Sequence, residues 1–209
     1  MRIIPIEAGP VATIGYLVID MGSRMSVIID APLESTPVFM THIEENKLKL
    51  SAILLSHSHW DHTADAAQLH RLTQAPVYLH KDDEYRLIDQ MSHTIMHLPF
   101  NLESHKPQGY FSDGDVLEYG GIKFEVRHTP GHTEGGVCFI DHLNKVVFAG
   151  DTLFNSSIGR VDLPGGSMAT LLNSIKSKIF SLPDDYMIYP GHGPSSTVGR
   201  EKNLNPFFN

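Results

Sequence analysis

His57, His59, Asp61 and His62 place four side chains able to bind a metal within six consecutive positions. The apolar run 52–55 directly before them reads as a buried strand, because it is short, continuous and followed by a polar loop. In extended backbone, residues two apart point to the same side, so His57 and His59 face one point. Asp61 and His62 follow where the chain turns into a helix, and they can face a second point nearby. A single ion needs only three or four ligands. Four here, with more histidine and aspartate farther along, suggest two ions side by side. The chemistry of such a pair is hydrolytic: a zinc-bound water reaches a pKa of about 7, against 15.7 in bulk.

Three later residues have the same setting. His132, Asp151 and His192 each follow a strand-like apolar run and sit beside a glycine (Gly131, Gly150, Gly191), which lets the backbone turn tightly or approach closely. The elements that must position these groups can be read in order. Strands are predicted at 2–6, 14–20 and 26–30, and Asp30 at the end of the third either orients a ligand histidine or caps a turn. A helix follows at 34–46, then the strand 49–56 that leads into the histidines. A helix is predicted at 61–73, favoured by Ala64, Ala66, Ala67 and Leu69, then a strand at 76–80 and a short helix at 82–89 that opens with acids. Segment 90–111 shows no regular pattern and reads either as a lid over the site or as a surface excursion. Its His93, His97 and His105 are loop histidines, not ligands. Hairpins are predicted at 116–119 with 122–128 and at 136–141 with 145–149. A helix at 168–180 carries Leu171, Leu172, Ile175 and Ile179 on one face, and 184–189 is the last strand. Periodicity supports an α/β protein with many strands.

Composition narrows the function. The 209 residues suit one domain. The net charge of −8, without a basic stripe, argues against nucleic acid as a partner and leaves a small-molecule substrate. The single cysteine, Cys138, excludes an intramolecular disulfide and lies in the apolar run 137–140, as a buried strand residue and not a nucleophile. Residues 1–5 lack a signal-peptide layout, and no stretch is long enough to span a bilayer, so a cytoplasmic protein without a membrane partner is expected. Oligomeric state is not readable. The apolar ending 205–208 packs either on the domain or on a neighbour.

The H-x-H-x-D-H stretch at 57–62, completed by His132, Asp151 and His192, resembles the metallo-β-lactamase superfamily of binuclear hydrolases. The resemblance spans nearly the whole chain. It implies a single domain over 1–209, built as a four-layer αββα sandwich of two mixed sheets with helices outside. It implies His57, His59 and His132 as ligands of a first ion, Asp61, His62 and His192 as ligands of a second, and Asp151 as the bridging carboxylate. A hydroxide bridging the ions would attack an acyl carbonyl. Asp61 could also orient that nucleophile, which makes Asp61 and Asp151 the catalytic carboxylates. Asp30 lies near the metals on this reading. Zinc is the first expectation for the two divalent ions, with iron or manganese as alternatives, because histidine and carboxylate suit all three.

Within the superfamily, Gly150-Asp151-Thr152-Leu153-Phe154 followed by Gly159-Arg160 looks most like the glyoxalase II group, which hydrolyses hydroxyacyl-glutathione thioesters. The stretches Asp162-Leu163-Pro164-Gly165-Gly166-Ser167, Pro190-Gly191-His192-Gly193-Pro194 and Asn205-Pro206-Phe207 look like its short bacterial members. Arg160 corresponds to a basic glutathione-contacting position. Asp162 and Pro194 stand where glutathione-contacting tyrosines are expected, and the C-terminal helical domain of full-length glyoxalase II is not expected here. The alternatives are a lactonase or other ester hydrolase, or a persulfide dioxygenase using one iron.

Overall fold

The computed structural model describes residues 1–94 and 97–208. Met96, in the segment predicted to be irregular, and Asn209 lie outside the described residues. The first sheet holds β1 (Arg2–Ala8), β2 (Thr13–Ile19), β3 (Met25–Ile29), β4 (Lys49–Leu54), β5 (Val77–His80) and β6 (Gly109–Phe111) in that order. Its first two junctions are antiparallel and the other three parallel. Pro5 lies in the edge strand β1, where a missing N–H costs no ladder bond on the open side.

The second half contributes β7 (Val116–Tyr119), β8 (Ile122–His128), β9 (Val137–Asp141) and β10 (Val146–Gly150), then a separate hairpin of β11 (Leu153–Phe154) with β12 (Ser157–Ile158), then β13 (Met187–Pro190) and β14 (Ser196–Thr197). The second sheet runs β14-β13-β10-β9-β8-β7 and is antiparallel except between β10 and β13. The helices are α1 (Thr36–Glu45), α2 (Trp60–Thr63), α3 (Ala66–Thr73), α4 (Glu84–Ile88), α5 (Gln90–His93), α6 (Met168–Ser174) and α7 (Val198–Leu204).

Strand alternation explains the layering. Along β2, Leu17 and Ile19 turn outward to meet Phe39 and Ile43 of α1 and Leu69 of α3. Tyr16 and Val18, on the opposite side, meet Phe124, Phe139 and Phe148 of the second sheet. Along β9, Phe139 faces that shared core, and Cys138 and Ile140 turn outward to Leu171 of α6 and Val198 of α7. Three parallel cores between four layers give the αββα arrangement with two mixed sheets. Phe39 is wholly buried in the outer core of the first sheet. Phe39→Ala is expected to destabilise the protein by about 3–5 kcal/mol, through lost transfer energy and the cavity left behind. Urea unfolding checks this, and an unchanged midpoint would contradict the packing described.

Several predicted elements differ in detail. The helix predicted at 61–73 is broken into α2 and α3, because Ala31 enters its ladder. The N–H of Ala31 donates to the carbonyl of His62 at 2.7 Å, and its own carbonyl accepts from Asp65 N–H at 3.0 Å. The helix at 168–180 widens into a π turn over Ile175–Ile179. Segment 90–111 is not irregular throughout, since it begins with α5 and ends with β6. Helix α7 was not anticipated. It has few apolar positions and starts with Val198-Gly199, but the Thr197 hydroxyl caps it by accepting from Arg200 N–H at 3.1 Å.

Candidate metal centre

Strand ends build the site. Asp30 follows β3, and His57 and His59 lie between β4 and α2. Asp61 and His62 lie within α2, Asp151 follows β10 and His192 follows β13. His132 lies between β8 and β9. The two sheets are joined directly at this edge. Val137 N–H donates to the Ser56 carbonyl, and Ile14 N–H to the Gly191 carbonyl, each at 2.8 Å. Gly191 is required by close approach, since a Cβ there would lie 2.4 Å from Asp151 Oδ1 and 2.5 Å from His62 Cε1.

Three sets of ligand atoms converge: His57 with His59 and His132; Asp61 with His62 and His192; and His57 with His62 and Asp151. His59 Nδ1 and His132 Nε2 are 2.8 Å apart. Asp151 faces both groups. Its Oδ1 is 3.2 Å from His62 Nε2, and its Oδ2 is 3.5 Å from His132 Nε2 and 3.6 Å from His192 Nε2. Asp61 Oδ2 lies 3.4 Å from His62 Nε2 and 3.3 Å from His192 Nε2.

Hydrogen bonds behind the rings point lone pairs at the centre. His62 Nδ1 faces Asp30 Oδ2 at 2.8 Å, and an ionised carboxylate can only accept, so this nitrogen carries the proton. The Ser56 hydroxyl donates to the same Asp30 oxygen at 2.7 Å, which leaves its own oxygen to accept from His57 Nδ1 at 3.0 Å. His132 Nδ1 donates to the Arg160 carbonyl at 2.7 Å. In all three rings the other nitrogen, Nε2, is left with its lone pair directed inward. His57 Nε2, His62 Nε2 and Asp151 Oδ1 are buried with no hydrogen-bond partner among the described residues. Buried acceptors facing one another without a donor are unfavourable unless a cation lies between them. The residues therefore fit a pair of divalent ions.

The metallo-β-lactamase superfamily model matches residues 14–192. The chain belongs to this superfamily. It is 39% identical to the hydroxyacylglutathione hydrolase GloC of Haemophilus influenzae over 89% of this chain and 88% of that one. Its structure is similar to that of the B3 metallo-β-lactamase BLEG-1, with a TM-score of 0.92, 33% identity and 100% of each chain covered. It is also similar to TTHA1623 in a di-iron-bound form, with a TM-score of 0.79, 34% identity, and 98% and 99% of the two chains covered. Together with the histidine and aspartate clusters, these likenesses identify a metallo-hydrolase of the superfamily with a site suited to two metals.

Charge divides the histidines of this metallo-hydrolase site: burial favours the neutral form in the first group, while in the second Asp151 and Asp61 outweigh burial and hold His62 and His192 above their ordinary range. Burial, and then the neighbouring histidines, push His57 far below the usual imidazole range, and burial with His132 brings His59 down to about 3. Both shifts favour the neutral ring, the form a metal ligand requires. Burial raises the Asp151 carboxyl, but His62 and the other histidines outweigh it and bring it down to about 2. Asp61 is likewise pulled below its ordinary value, with burial opposed by His62, His192 and Thr13.

The other expected residues fall into place around this centre. Asp30 is buried, and besides Ser56 Oγ and His62 it accepts from Ser56 N–H at 2.7 Å. Arg160 lines the cavity over the site, but its guanidinium forms a two-pronged pair with Asp162, both bonds 2.7 Å. Trp60 both lines that cavity and packs on Phe100 and Leu102. His93 lines the cavity, the His105 ring lies tilted against His70, and His97 is exposed; none joins a ligand set among the described residues. Burial raises the Cys138 thiol, which suits a packing residue. His80, Asp82 and His128 form a further cluster. Its two rings are stacked 4.0 Å apart and 10° from parallel, so their in-plane lone pairs do not converge on one ion. Sequence reasoning missed Ser56 and Thr13 as partners of the ligands. The Ser56 hydroxyl links Asp30 to His57, and the Thr13 hydroxyl donates to Asp61 at 2.7 Å; nothing in their residue type or spacing signals either role.

Proposed function

We propose that the protein is a binuclear thioester hydrolase acting on substrates of hydroxyacylglutathione type. One observation carries this reading: Asp151 reaches both histidine groups, and the remote nitrogens of His57, His62 and His132 are all tied back by hydrogen bonds. The similarity to GloC supports the choice of substrate. On this reading His57, His59 and His132 hold the first ion, Asp61, His62 and His192 the second, and Asp151 bridges. Zinc is the proposed metal, with iron as the alternative that the di-iron form of TTHA1623 supports. Bound there, two divalent ions lower the pKa of water and polarise an acyl carbonyl.

The chain's own residues do the rest. Asp61 is held ionised and is fixed by Thr13, so it can accept a hydrogen bond from the attacking water and aim it. Val11, Trp60, Leu163 and Pro164 wall the cavity with apolar surface, limiting access of bulk water to the acyl group. Arg160 is the cation at the rim, and an anionic glutathione group must displace Asp162 to use it. This competition makes the acyl–sulfur end, and not the peptide end, the main recognition element. The likeness to BLEG-1 adds β-lactams to the esters and lactones that such a site could open.

The test is hydrolysis of S-D-lactoylglutathione by metal-loaded protein, with metals quantified on the same sample. Turnover with two ions per chain is the expected result. Two ions without turnover would reject the glutathione thioester and leave lactones, esters and β-lactams as the substrates to assay. One iron with oxygen consumption on glutathione persulfide would point instead to a dioxygenase, against which the complete second set, Asp61, His62 and His192, argues.

A further inference from the structure

We propose that Asp83 is a positioning residue that sets the spacing between the His57–His59 loop and His132, and with it the first metal position; this rests on the two-metal reading above. Asp83 ends the 3-10 turn Lys81–Asp83 that follows β5, and its side chain is 0% exposed. It belongs to none of the ligand sets. Its Oδ2 accepts from Ser58 N–H and from the Thr133 hydroxyl, both at 2.9 Å. Its Oδ1 accepts from Gly135 N–H at 2.7 Å and faces Arg86 Nη1 at 3.4 Å. Ser58 stands between His57 and His59, and Thr133 directly follows His132. One carboxylate thus joins the ligand loop of the first sheet to the ligand loop of the second.

The residue type follows from the donors around it. Every neighbour of Asp83 donates, and only a carboxylate accepts at both oxygens; an asparagine would turn N–H groups toward other donors. Arg86 compensates the buried charge and is itself held by the Pro164 carbonyl at 2.6 Å and by Glu134 at 2.7 Å. Space is tight on the loop side as well. A Cβ at Gly135 would lie 2.8 Å from the Cβ and Cγ of Asp83, so glycine allows the approach. The bond from Val137 N–H to the Ser56 carbonyl ties the two loops at their base. Asp83 ties them nearer the tips, where His59 Nδ1 and His132 Nε2 come within 2.8 Å. Among the described residues, no hydrogen bond or ion pair joins Asp83 to Asp61, His62 or His192, the proposed ligands of the second position.

The test titrates metal-free protein with Co²⁺ and follows visible absorption and ions bound per chain, with thermal melts to confirm folding. The parent should bind two ions. Asp83→Asn and Thr133→Val should weaken one of them by about 10- to 100-fold, the effect typical of losing an outer partner of a metal ligand, and leave the other unchanged. Thr133→Ser, which keeps the hydroxyl, should bind like the parent. A clamp that served folding alone would lower the melting temperature without separating the two affinities, and that result would overturn the proposal. If Asp83→Asn does not fold, Thr133→Val and Gly135→Ala decide: unchanged affinity for both ions in both variants refutes the clamp. A parent that binds no metal refutes the two-metal reading itself.

Discussion

Asp151→Ala should lower kcat/KM for S-D-lactoylglutathione by about a thousandfold or more, the scale on which loss of a group that organises transition-state charge is felt. Among the described residues, Asp151 is the carboxylate that faces both histidine groups, with one oxygen toward His62 and the other toward His132 and His192. On the two-metal reading, removing it takes away one of the two ligand carboxylates set against four positive charges, and leaves the groups from the two sheets without a common ligand. Metal content should fall together with activity, which elemental analysis of the purified variant will show. Asp151→Asn separates the causes, because it keeps the size of the side chain and removes its charge. A fully active, fully metallated alanine variant would refute the bridging role.

Asp30→Asn should weaken both metal positions, in contrast to the clamp variants, which should touch only one. Asp30 holds His62 directly and His57 through Ser56, so it serves one ring of each group. Its backbone is left-handed, at φ 59°, a conformation that asparagine tolerates well. The substitution therefore tests the hydrogen bonds and not the turn. An amide cannot accept from Ser56 N–H, Ser56 Oγ and His62 Nδ1 in the present arrangement without facing a donor with a donor. Each outer partner of a ligand histidine is worth about 10- to 100-fold in metal affinity, so losses in this range are expected for both ions, measured by competition with a chromophoric chelator. Retention of parent affinity at either position would show that the ring there is fixed by other means.

The candidate ligands were legible because their chemistry is concentrated in side-chain type. The H-x-H-x-D-H run at 57–62, together with histidine or aspartate beside glycine at 131–132, 150–151 and 191–192, is rare enough in combination to stand out. The sheets were legible because alternation within β2, β9 and β10 is carried by apolar side chains on both faces. What stayed hidden depends on main-chain geometry. The break between α2 and α3 comes from the backbone of Ala31, a residue distant in sequence whose type carries no signal. Asp83 read as an ordinary acid at a helix start, since its donors at Ser58, Thr133 and Gly135 come from two distant loops. Helix α7 was hidden because its buried face carries Glu201 while its Leu204 is exposed, so no apolar stripe forms, and its cap is a single hydroxyl.

The bond from His132 to residue 160 has a consequence for how such a site can diversify. The ring is held by the carbonyl of Arg160, a group every amino acid possesses, while the arginine side chain projects to the cavity rim. Exchange of that side chain alters what the rim offers a substrate and leaves the support of the ligand ring intact. On the proposed reading, selectivity and metal binding can therefore vary separately at this position, and a point substitution at the rim could change the substrate without passing through a form that has lost its metals.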